Sequence, residues 1–203
     1  SSGGTVALAE DSATAVLSGV TDNNNGTYTA TITNTVAEDV VISGTIASNN
    51  ITSGNQTITF IPGAASTATS TISVSPNSVT ADGSSSSLIT VQAKDTQGNN
   101  LTSSGGTVAL AEDSATAVLS GVTDNNNGTY TATITNTVAE NVVISGTITS
   151  NNITSGNQTI TFVAGNTASA ATTTISVSQN SVTADGSSSS LITVQAKDNF
   201  NNI

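Results

Sequence analysis

Apolar and polar residues alternate with a period of two along most of this chain. In the segment LITVQA, residues 88–93, Ile89, Val91 and Ala93 fall on one face and the intervening residues fall on the other. This alternation is typical of strands that bury one face. The same pattern recurs in TYTATIT at 129–135, in NVVISGTIT at 141–149 and in QTITF at 158–162.

Turn sequences separate these predicted strands. Ala-Asp-Gly at 81–83, Gly-Asn-Asn at 98–100 and Asn-Asn-Gly at 126–128 all carry residues that favour tight turns. Apolar residues at helical spacing do not extend over any segment long enough to predict a helix. About seven short strands in about 90 residues predict an antiparallel β-sandwich.

The chain repeats itself almost without change. Residues 1–62 match residues 103–164 with four differences, and the segment DNNNGTYTATITNTVAE is identical at 22 and at 124. Residues 72–95 match 175–198 with one difference, Pro76 against Gln179. Between these blocks, the stretch rich in Gly, Ala, Ser and Thr differs in length by one residue, which is typical of a connecting segment.

The repeat therefore predicts the domain organisation. Residues 1–62 correspond to the C-terminal two thirds of one sandwich, and 72–163 to a complete sandwich. Residues 174–203 correspond to the N-terminal third of a further sandwich. Residues 63–71 and 164–173 are predicted linkers. The expected architecture is all-β, with tandem antiparallel β-sandwiches.

Composition excludes several functions. The chain has 203 residues, a formal charge of -11, no His and no Cys, and its only cationic side chains are Lys94 and Lys197. Nucleic acid is not an expected partner because binding needs clustered basic residues. No apolar run is long enough to insert in a membrane as a helix. Without His, no Ser or Thr can belong to a Ser-His-Asp triad, so no enzyme and no cofactor are predicted.

Two sequence features resemble a known family. The segment SVSPNSVTADGSSSSLITVQAKDTQGNNL, with its Ala-Asp-Gly turn and its Lys-Asp-x-x-Gly-Asn turn, resembles the first strands of bacterial immunoglobulin-like domains in invasin and intimin-type surface adhesins. The segment DNNNGTYTATIT is similar to a hairpin of those domains and of filamin repeats. The last copy reads KDNFNNI, where the family has Gly in this turn.

The resemblance implies tandem immunoglobulin-like β-sandwiches in an extended rod on the bacterial cell surface, without catalytic residues. The favoured function is a structural spacer in a large extracellular adhesin or fibre, whose partners are its own repeats or neighbouring chains. The alternative is a binding module in which the sandwich loops recognise a glycan or a host protein, and repetition supplies avidity. The sequence does not name the ligand of the distal tip.

Four aspartates are candidate calcium ligands near a domain junction. They are Asp82 and Asp95, which recur as Asp185 and Asp198. Carboxylate oxygens are suitable ligands for Ca²⁺, but calcium sites usually gather several of them within a few residues. The alternative, which we favour, is that each aspartate caps its own turn by accepting backbone N–H bonds.

Two other residue types have an alternative interpretation. Lys94 and Lys197 could form an isopeptide bond with Asn only if the amine were buried, and alternation places Lys94 on the face of Thr90 and Gln92, away from the core. Tyr28 and Tyr130 could stack on a sugar. Their phase instead predicts core positions with the hydroxyl bonded to a backbone carbonyl.

The first and last segments predict contacts between copies. A sandwich that lacked its first two strands would expose inner-face residues such as Ile32, Val40 and Ile42. Either the chain is a window of a longer fibre, or strands of one copy complete the open sandwich of the next. In the second case, the side chains that fill the partner are Ile175, Val177, Ile192 and Val194, near residues 1–62 of the neighbour.

Overall fold

A computed structural model describes residues 3–203, so Ser1 and Ser2 lie outside the described residues. Within residues 3–203 the chain forms strands, turns and loops and has no helix. The described residues therefore include no helix with the length and apolar character needed to cross a membrane. The all-β fold predicted from the alternation is confirmed. We refer to residues 3–62 as the first repeat, 72–163 as the middle repeat and 174–203 as the third repeat, with 63–71 and 164–173 as the connecting segments.

The first repeat consists of short strands. They are β1 (Val6–Glu10), β2 (Val16–Leu17), β3 (Thr21–Asp22), β4 (Tyr28–Thr29), β5 (Ile32–Thr33), β6 (Asp39–Ile46), β7 (Asn49–Asn50) and β8 (Gln56–Thr59).

The middle repeat contains the longest strands. They are β9 (Thr71–Ser75), β10 (Ser78–Thr80), β11 (Ser87–Gln92), β12 (Val108–Glu112), β13 (Val118–Leu119), β14 (Thr123–Asp124), β15 (Thr129–Thr135), β16 (Asn141–Ile148), β17 (Asn151–Asn152) and β18 (Gln158–Val163). The third repeat adds β19 (Thr174–Val177) and β20 (Ile192–Gln195), which pair with each other.

Two sheets form the sandwich of the middle repeat. One has the order β13-β15-β11-β9 with β14 also on β15, and the other has the order β10-β18-β16-β12 with β17 also on β16. Ile89, Val91 and Ala93 are completely buried, as the alternation predicted. The opposite sheet contributes Val142, Ile144 and Ile160, which are also completely buried. The core is aliphatic, with Tyr130 and Phe162 as its two aromatic members.

One pair of strands departs from the antiparallel sandwich that the sequence predicts. Strand β10 pairs with β18 in parallel, with Val79 opposite Phe162. The chain leaves one sheet after β9, passes Pro76 and joins the other sheet as β10. Proline has no N–H to donate to a ladder, so a strand interruption at Pro76 is expected.

Identical sequence forms different strands in the first and middle repeats. TYTATIT is the continuous β15 in the middle repeat, where all six residues of β11 pair with it. In the first repeat the same letters form only β4 and β5. Residues 3–62 contain no counterpart of β9 or β11, so the backbone groups of this segment lack the partner that extends the strand.

The expectation that the first repeat exposes Ile32, Val40 and Ile42 is wrong for Val40. Val40 is completely buried, while Ile32 and Ile42 are half-buried. Val40 lies two residues after Glu38, whose carbonyl accepts a bond from Phe60 N–H. This end of the first repeat stays closed and also contacts the middle repeat, whereas Ile32 lies in the segment that lacks its partner strand.

The tyrosine prediction is confirmed in full for Tyr130, whereas Tyr28 makes the predicted hydroxyl bond but is only half-buried. Tyr130 is buried, and its hydroxyl donates to the carbonyl of Gly106 at 2.8 Å and accepts from Gly105 N–H at 2.7 Å. Tyr28 donates to the carbonyl of Gly4 at 2.7 Å. A buried tyrosine that satisfies its hydroxyl in this way fastens the loop to the sandwich rather than binding a sugar.

Candidate functional site at the repeat junctions

Two of the four candidate aspartates, Asp95 and Asp198, lie where one repeat meets the next. The turn after β11 begins at Asp95 and ends at Asn99, with Asp95 N–H bonded to the carbonyl of Asn99 at 3.0 Å. Gly98 adopts a φ of 88°, in the left-handed region that glycine enters without steric cost. The turn therefore presents Asp95 and Asn99 together at the end of the middle repeat.

Asp95 bonds to both sides of the first junction. It is 2% exposed. One carboxylate oxygen accepts from Gly63 N–H at 2.9 Å and from the Asn99 amide at 2.9 Å. The other oxygen accepts from Gln97 N–H at 3.0 Å and from Asn99 N–H at 2.9 Å. Each oxygen has two donors, which satisfies a buried carboxylate.

Asn99 reaches further into the first repeat. Its side-chain amide donates to the carbonyl of Thr35 at 2.9 Å, and its side-chain oxygen accepts from Ala37 N–H at 3.0 Å. The amide thus satisfies one donor and one acceptor of a loop in the neighbouring repeat, which a methyl or a carboxylate could not do. We call the pair Asp95 and Asn99, with the backbone groups that they bind, the junction clamp.

The clamp recurs at the second junction with nearly the same distances. Asp198 accepts from Gly165 N–H at 2.9 Å and from the Asn202 amide at 2.9 Å. Asn202 accepts from Ala139 N–H at 2.8 Å and donates to the carbonyl of Thr137 at 3.0 Å. Asp198 and Asn202 are both buried. The same side chains therefore make the same bonds at both junctions.

The last copy of this turn has Asn where the middle repeat has Gly, and this change does not disrupt the turn. Asn201 occupies the place of Gly98 and adopts a φ of 72°. Asn is one of the few residues other than Gly that enter the left-handed region readily. Its N–H bonds to the carbonyl of Asp198 at 3.2 Å, as Gly98 N–H bonds to the carbonyl of Asp95 at 3.0 Å.

Hydrogen bonding keeps the clamp carboxylates ionised. Bonds to the carboxylate, first of all from the Asn99 side chain, lower the pKa of Asp95 to about 2 despite its burial. Burial is the largest influence on the pKa of Asp198 and raises it, but bonds from the Asn202 side chain, Gly165, Asn202 and Phe200 together lower it to about 2. A carboxylate that accepts several N–H bonds is stabilised in its charged form.

The connecting segment is also bound to the clamp turn. Thr69 Oγ1 donates to the carbonyl of Asp95 at 2.6 Å, and Ser66 N–H donates to the carbonyl of Lys94 at 2.7 Å. Thr172 and Ser169 make the equivalent bonds to Asp198 and Lys197 at the second junction. The extra residue of the second segment lies between Gly165 and Ser169, so the length change leaves these bonds in place.

The loop of the preceding repeat that binds the Asn side chain of the clamp is itself held by a carboxylate. Glu140 accepts from the hydroxyls of Ser114 and Thr116 and from the Asn136 amide, at 2.5, 3.0 and 2.8 Å. These bonds lower the pKa of Glu140, with the Ser114 bond contributing most. Glu38 has the same three kinds of partner in the first repeat. The loop that offers its backbone to Asn202 is therefore ordered within its own repeat.

The other candidate aspartates, Asp82 and Asp185, are not part of the junction clamp, although the carbonyl of Ala81, next to Asp82, accepts a bond from the Asn202 amide at 3.4 Å. Asp82 accepts from Ser84 N–H at 2.8 Å, Ser85 N–H at 2.6 Å and the Ser85 hydroxyl at 2.7 Å. Asp185 makes the equivalent bonds with Ser187 and Ser188. These are the bonds of a turn cap.

Asp82 and Asp95 do not form one site. Strand β11 runs between them, and its six residues span roughly 20 Å at ~3.3 Å per residue. Among residues 3–203, no three side chains of Asp, Glu, His or Cys cluster in a way that could hold a metal ion.

The remaining sequence-predicted residues lie away from the junction clamp or contribute only backbone to it. Lys94 and Lys197 are half-buried, and their carbonyls accept bonds from the N–H groups of Ser66 and Ser169 in the connecting segments. Ile175, Val177, Ile192 and Val194 are between 46% and 73% exposed. The sequence reasoning missed Asn99 and Asn202. The signal was present, because Asp and Asn stay four residues apart in KDTQGNN and KDNFNN although the three residues between them all change.

A cavity of about 500 Å³ lies beside the first clamp. Its wall includes Phe60, Ile61 and Pro62 from the end of the first repeat and Asn99 and Thr102 from the middle repeat. Both repeats therefore contribute to this groove, and Asn99 of the clamp forms part of its wall.

Comparison with known proteins shows what this chain is similar to. Residues 66–165, just under half of the chain, match the family model described as invasin, domain 3. This confirms the resemblance to bacterial immunoglobulin-like adhesin domains.

Several solved structures are similar over nearly the whole chain. InvD of Yersinia pseudotuberculosis is 26% identical with a TM-score of 0.62, and the match covers 97% of this chain and 60% of InvD. Invasin, a bacterial integrin-binding protein, is 25% identical with a TM-score of 0.60, over 98% of this chain and 40% of invasin. FdeC, an adhesin of Escherichia coli, shares the fold at 23% identity and a TM-score of 0.63, over 96% of this chain and 62% of FdeC. The chain thus spans less than two thirds of the length of each.

Proposed function

Because residues 66–165 belong to the invasin domain 3 family of bacterial adhesin domains, we propose that this chain acts as a structural, non-catalytic spacer within a large surface adhesin. Adhesin domains of this type are exposed on the bacterial surface, and we place this chain there as well. Its role in this proposal is to hold a binding tip away from the cell in a rod of tandem sandwiches.

The junction clamp is the observation that carries the proposal. A spacer has to transmit orientation from one repeat to the next, and a linker without contacts cannot do so. Here, at both junctions, a buried Asp binds the backbone of the connecting segment and its partner Asn binds the backbone of the preceding repeat. In the preceding repeat, the groups that the clamp Asn binds are backbone groups, so the geometry of these bonds is independent of sequence variation in the loop that carries them.

The rival function is recognition of a glycan or host protein through the sandwich loops. Invasin is an integrin-binding protein, which gives this alternative a precedent. Binding surfaces are enriched in exposed aromatic residues and Arg. This chain has no Arg, and of its five aromatic residues only Phe200, at 44%, is exposed. A glycan array that gave reproducible binding to the chain would favour the rival.

Small-angle X-ray scattering tests the spacer proposal. We expect the maximum dimension of the wild-type chain in a dilution series to match an extended arrangement of repeats. Asn99→Ala combined with Asn202→Ala should give a distribution of shorter dimensions, because the bonds that fix both junctions are lost. Asn100→Ala is the matched control, since Asn100 lies in the same turn and is exposed. A wild-type profile as compact or as broad as that of the double variant would contradict the proposal.

A further inference from the structure

The two basic side chains of this chain both lie in the junctions. Lys94 and Lys197 are its only Lys or Arg residues, and each stands directly before the clamp aspartate, Asp95 or Asp198. A protease of trypsin-like specificity binds a basic side chain in its pocket and cuts the peptide bond that follows this residue. The two bonds that such a protease recognises in this chain are therefore Lys94–Asp95 and Lys197–Asp198.

The connecting segment binds the backbone on both sides of the Lys94–Asp95 bond. Lys94 N–H donates to Ser70 Oγ at 2.9 Å, and the carbonyl of Lys94 accepts from Ser66 N–H at 2.7 Å. The carbonyl of Asp95 accepts from Thr69 Oγ1 at 2.6 Å. Three of the four backbone groups of these two residues are therefore paired with the connecting segment, and the fourth bonds within the clamp turn.

The connecting segment is in turn bound to a loop of the middle repeat. Thr154 N–H donates to the carbonyl of Thr67 at 2.9 Å. Ser155 Oγ donates to the carbonyl of Ser70 at 2.6 Å, and Ser70 is completely buried. These bonds hold the connecting segment against the turn that follows β11.

This arrangement blocks a protease from the bond. An endoprotease holds its substrate in an extended form through backbone hydrogen bonds, so cleavage concentrates at exposed loop tips with free backbone groups. Here Lys94 is half-buried, Asp95 is 2% exposed, and their backbone groups are already bonded. The bond becomes accessible only when the connecting segment separates from the clamp turn, which opens this part of the junction.

The second junction has the same bonds around Lys197–Asp198. Lys197 N–H donates to Thr173 Oγ1 at 3.3 Å, and the carbonyl of Lys197 accepts from Ser169 N–H at 2.8 Å. The carbonyl of Asp198 accepts from Thr172 Oγ1 at 2.6 Å. Both bonds that a trypsin-like protease recognises are therefore held by a connecting segment.

We propose that the Lys94–Asp95 bond is a cleavage site for proteases that cut after basic residues, and that the connecting segment protects this bond while the junction is closed. Cleavage consumes one water molecule: the C–N bond breaks, the hydroxyl group joins the carbonyl carbon of Lys94 and the hydrogen joins the nitrogen of Asp95. The cut separates β9, β10 and β11 from the rest of the middle repeat. A junction that opens is thereby turned into a permanent break in the chain, a consequence that the spacer proposal does not include.

Digestion of the whole chain with trypsin measures access to this bond. Lys197→Gln leaves Lys94 as the single site, and a synthetic peptide of residues 88–101 gives the rate for the unprotected bond. We expect the chain to be cut at least about 100-fold more slowly than the peptide, because cleavage requires an open junction that is rarely populated. Mass spectrometry identifies the fragments 1–94 and 95–203. Cleavage of the chain at the rate of the peptide would overturn the proposal.

A pair of matched variants tests the role of the connecting segment. Thr69→Val removes the hydroxyl that binds the carbonyl of Asp95 and should speed cleavage by roughly 2- to 10-fold, the factor that one hydrogen bond contributes. Thr67→Val is the control, because the bond of Thr67 to the middle repeat comes from its backbone carbonyl and the second junction has Ala170 at this place. Equal cleavage rates for the two variants would contradict protection by the connecting segment.

A second site separates local opening from unfolding of the whole repeat. Thr133 is exposed within β15, which lies between β13 and β11 in its sheet. Thr133→Lys combined with Lys94→Gln and Lys197→Gln leaves position 133 as the single site, and a cut there requires the sheet to unfold. Adding Thr69→Val should leave the rate of this cut unchanged. An equal acceleration at position 133 would mean that Thr69→Val destabilises the whole repeat, and it would overturn the proposal.

The protease experiment and the scattering test of the spacer proposal fail independently. Thr69→Val leaves the side chains of Asp95 and Asn99 unchanged, so it does not remove the bonds that the spacer proposal requires. If Thr69→Val leaves the cleavage rate unchanged while the double clamp variant shortens the chain in solution, protection of the bond is wrong and the spacer proposal stands.

Discussion

The duplicated sequence allows one substitution to be compared in two environments within the same molecule. Ile134 is completely buried in the middle repeat, and the equivalent Ile32 of the first repeat is half-buried. Their neighbours along the chain are the same residues from 103 to 140 and from 1 to 38. Any difference between Ile134→Ala and Ile32→Ala therefore comes from packing and not from local sequence.

The expected magnitude follows from burial. Ile→Ala removes three carbon groups, worth about 2.4 kcal/mol at ~0.8 kcal/mol each. The cavity that remains raises the cost of Ile134→Ala to about 3–4 kcal/mol, within the 2–5 kcal/mol typical of such changes. For a domain of this size, about 3 kcal/mol corresponds to a fall in Tm of roughly 12 °C or more. Ile32→Ala should cost no more than about 1 kcal/mol, because its site is already partly hydrated.

Thermal unfolding followed by circular dichroism measures both effects. The main transition belongs to the middle repeat, which contains the core. We expect Ile134→Ala to lower this transition strongly and Ile32→Ala to leave it nearly unchanged. Equal shifts for the two variants would refute the assignment of the core to the middle repeat.

Further predictions concern the clamp and the turns. The pKa of Asp95 and Asp198 is about 2 in the folded chain, below the ~3.9 of an unfolded Asp. The contribution of these two carboxylates to junction stability should therefore be complete above about pH 4 and lost as the pH falls toward 2. Scattering dimensions that stay constant down to pH 2 would contradict this. Gly128→Ala should destabilise the middle repeat well beyond the ~1–2 kcal/mol of left-handed strain, because the new methyl group meets the carbonyl of Leu101. The methyl group of Gly26→Ala meets no atom within 4 Å, so this change should cause the strain alone. Equal losses in Tm for the two variants would count against the contact between residue 128 and Leu101. EDTA should leave the melting curve unchanged, since N–H and O–H donors already occupy the carboxylate oxygens of Asp82, Asp95, Asp185 and Asp198. A marked fall in Tm would instead indicate calcium.

The alternation of apolar and polar residues was sufficient to predict the sandwich. Alternation placed Ile89, Val91 and Tyr130 on the inner face, and all three are buried. The parallel pairing of β10 with β18 was not predictable in this way, because it depends on where the first strand crosses between sheets. The burial of Val40 was also missed, since it depends on how one end of the first repeat closes and contacts the middle repeat.

The candidate site was only partly predictable. A junction role for Asp95 was considered from its position, but as a calcium ligand. Asn99 was treated as part of a turn, because a single sequence does not show that its amide reaches Thr35 and Ala37 more than 60 residues away. Comparison of the two copies would have revealed it, since Asp and Asn remain four residues apart while the residues between them change.

The central claim is that the junction clamp fixes neighbouring repeats relative to each other, and a spin-label distance measurement tests it most directly. Val16 and Val118 are equivalent positions, both 66% exposed, in the first and middle repeats, and the absence of cysteine makes Val16→Cys with Val118→Cys a clean labelling pair. Pulsed electron resonance should give one narrow distance distribution in the otherwise wild-type chain and with Asn100→Ala added. With Asn99→Ala added, the distribution should become broad. A broad distribution in the otherwise wild-type chain, or an unchanged narrow one with Asn99→Ala, would contradict the account.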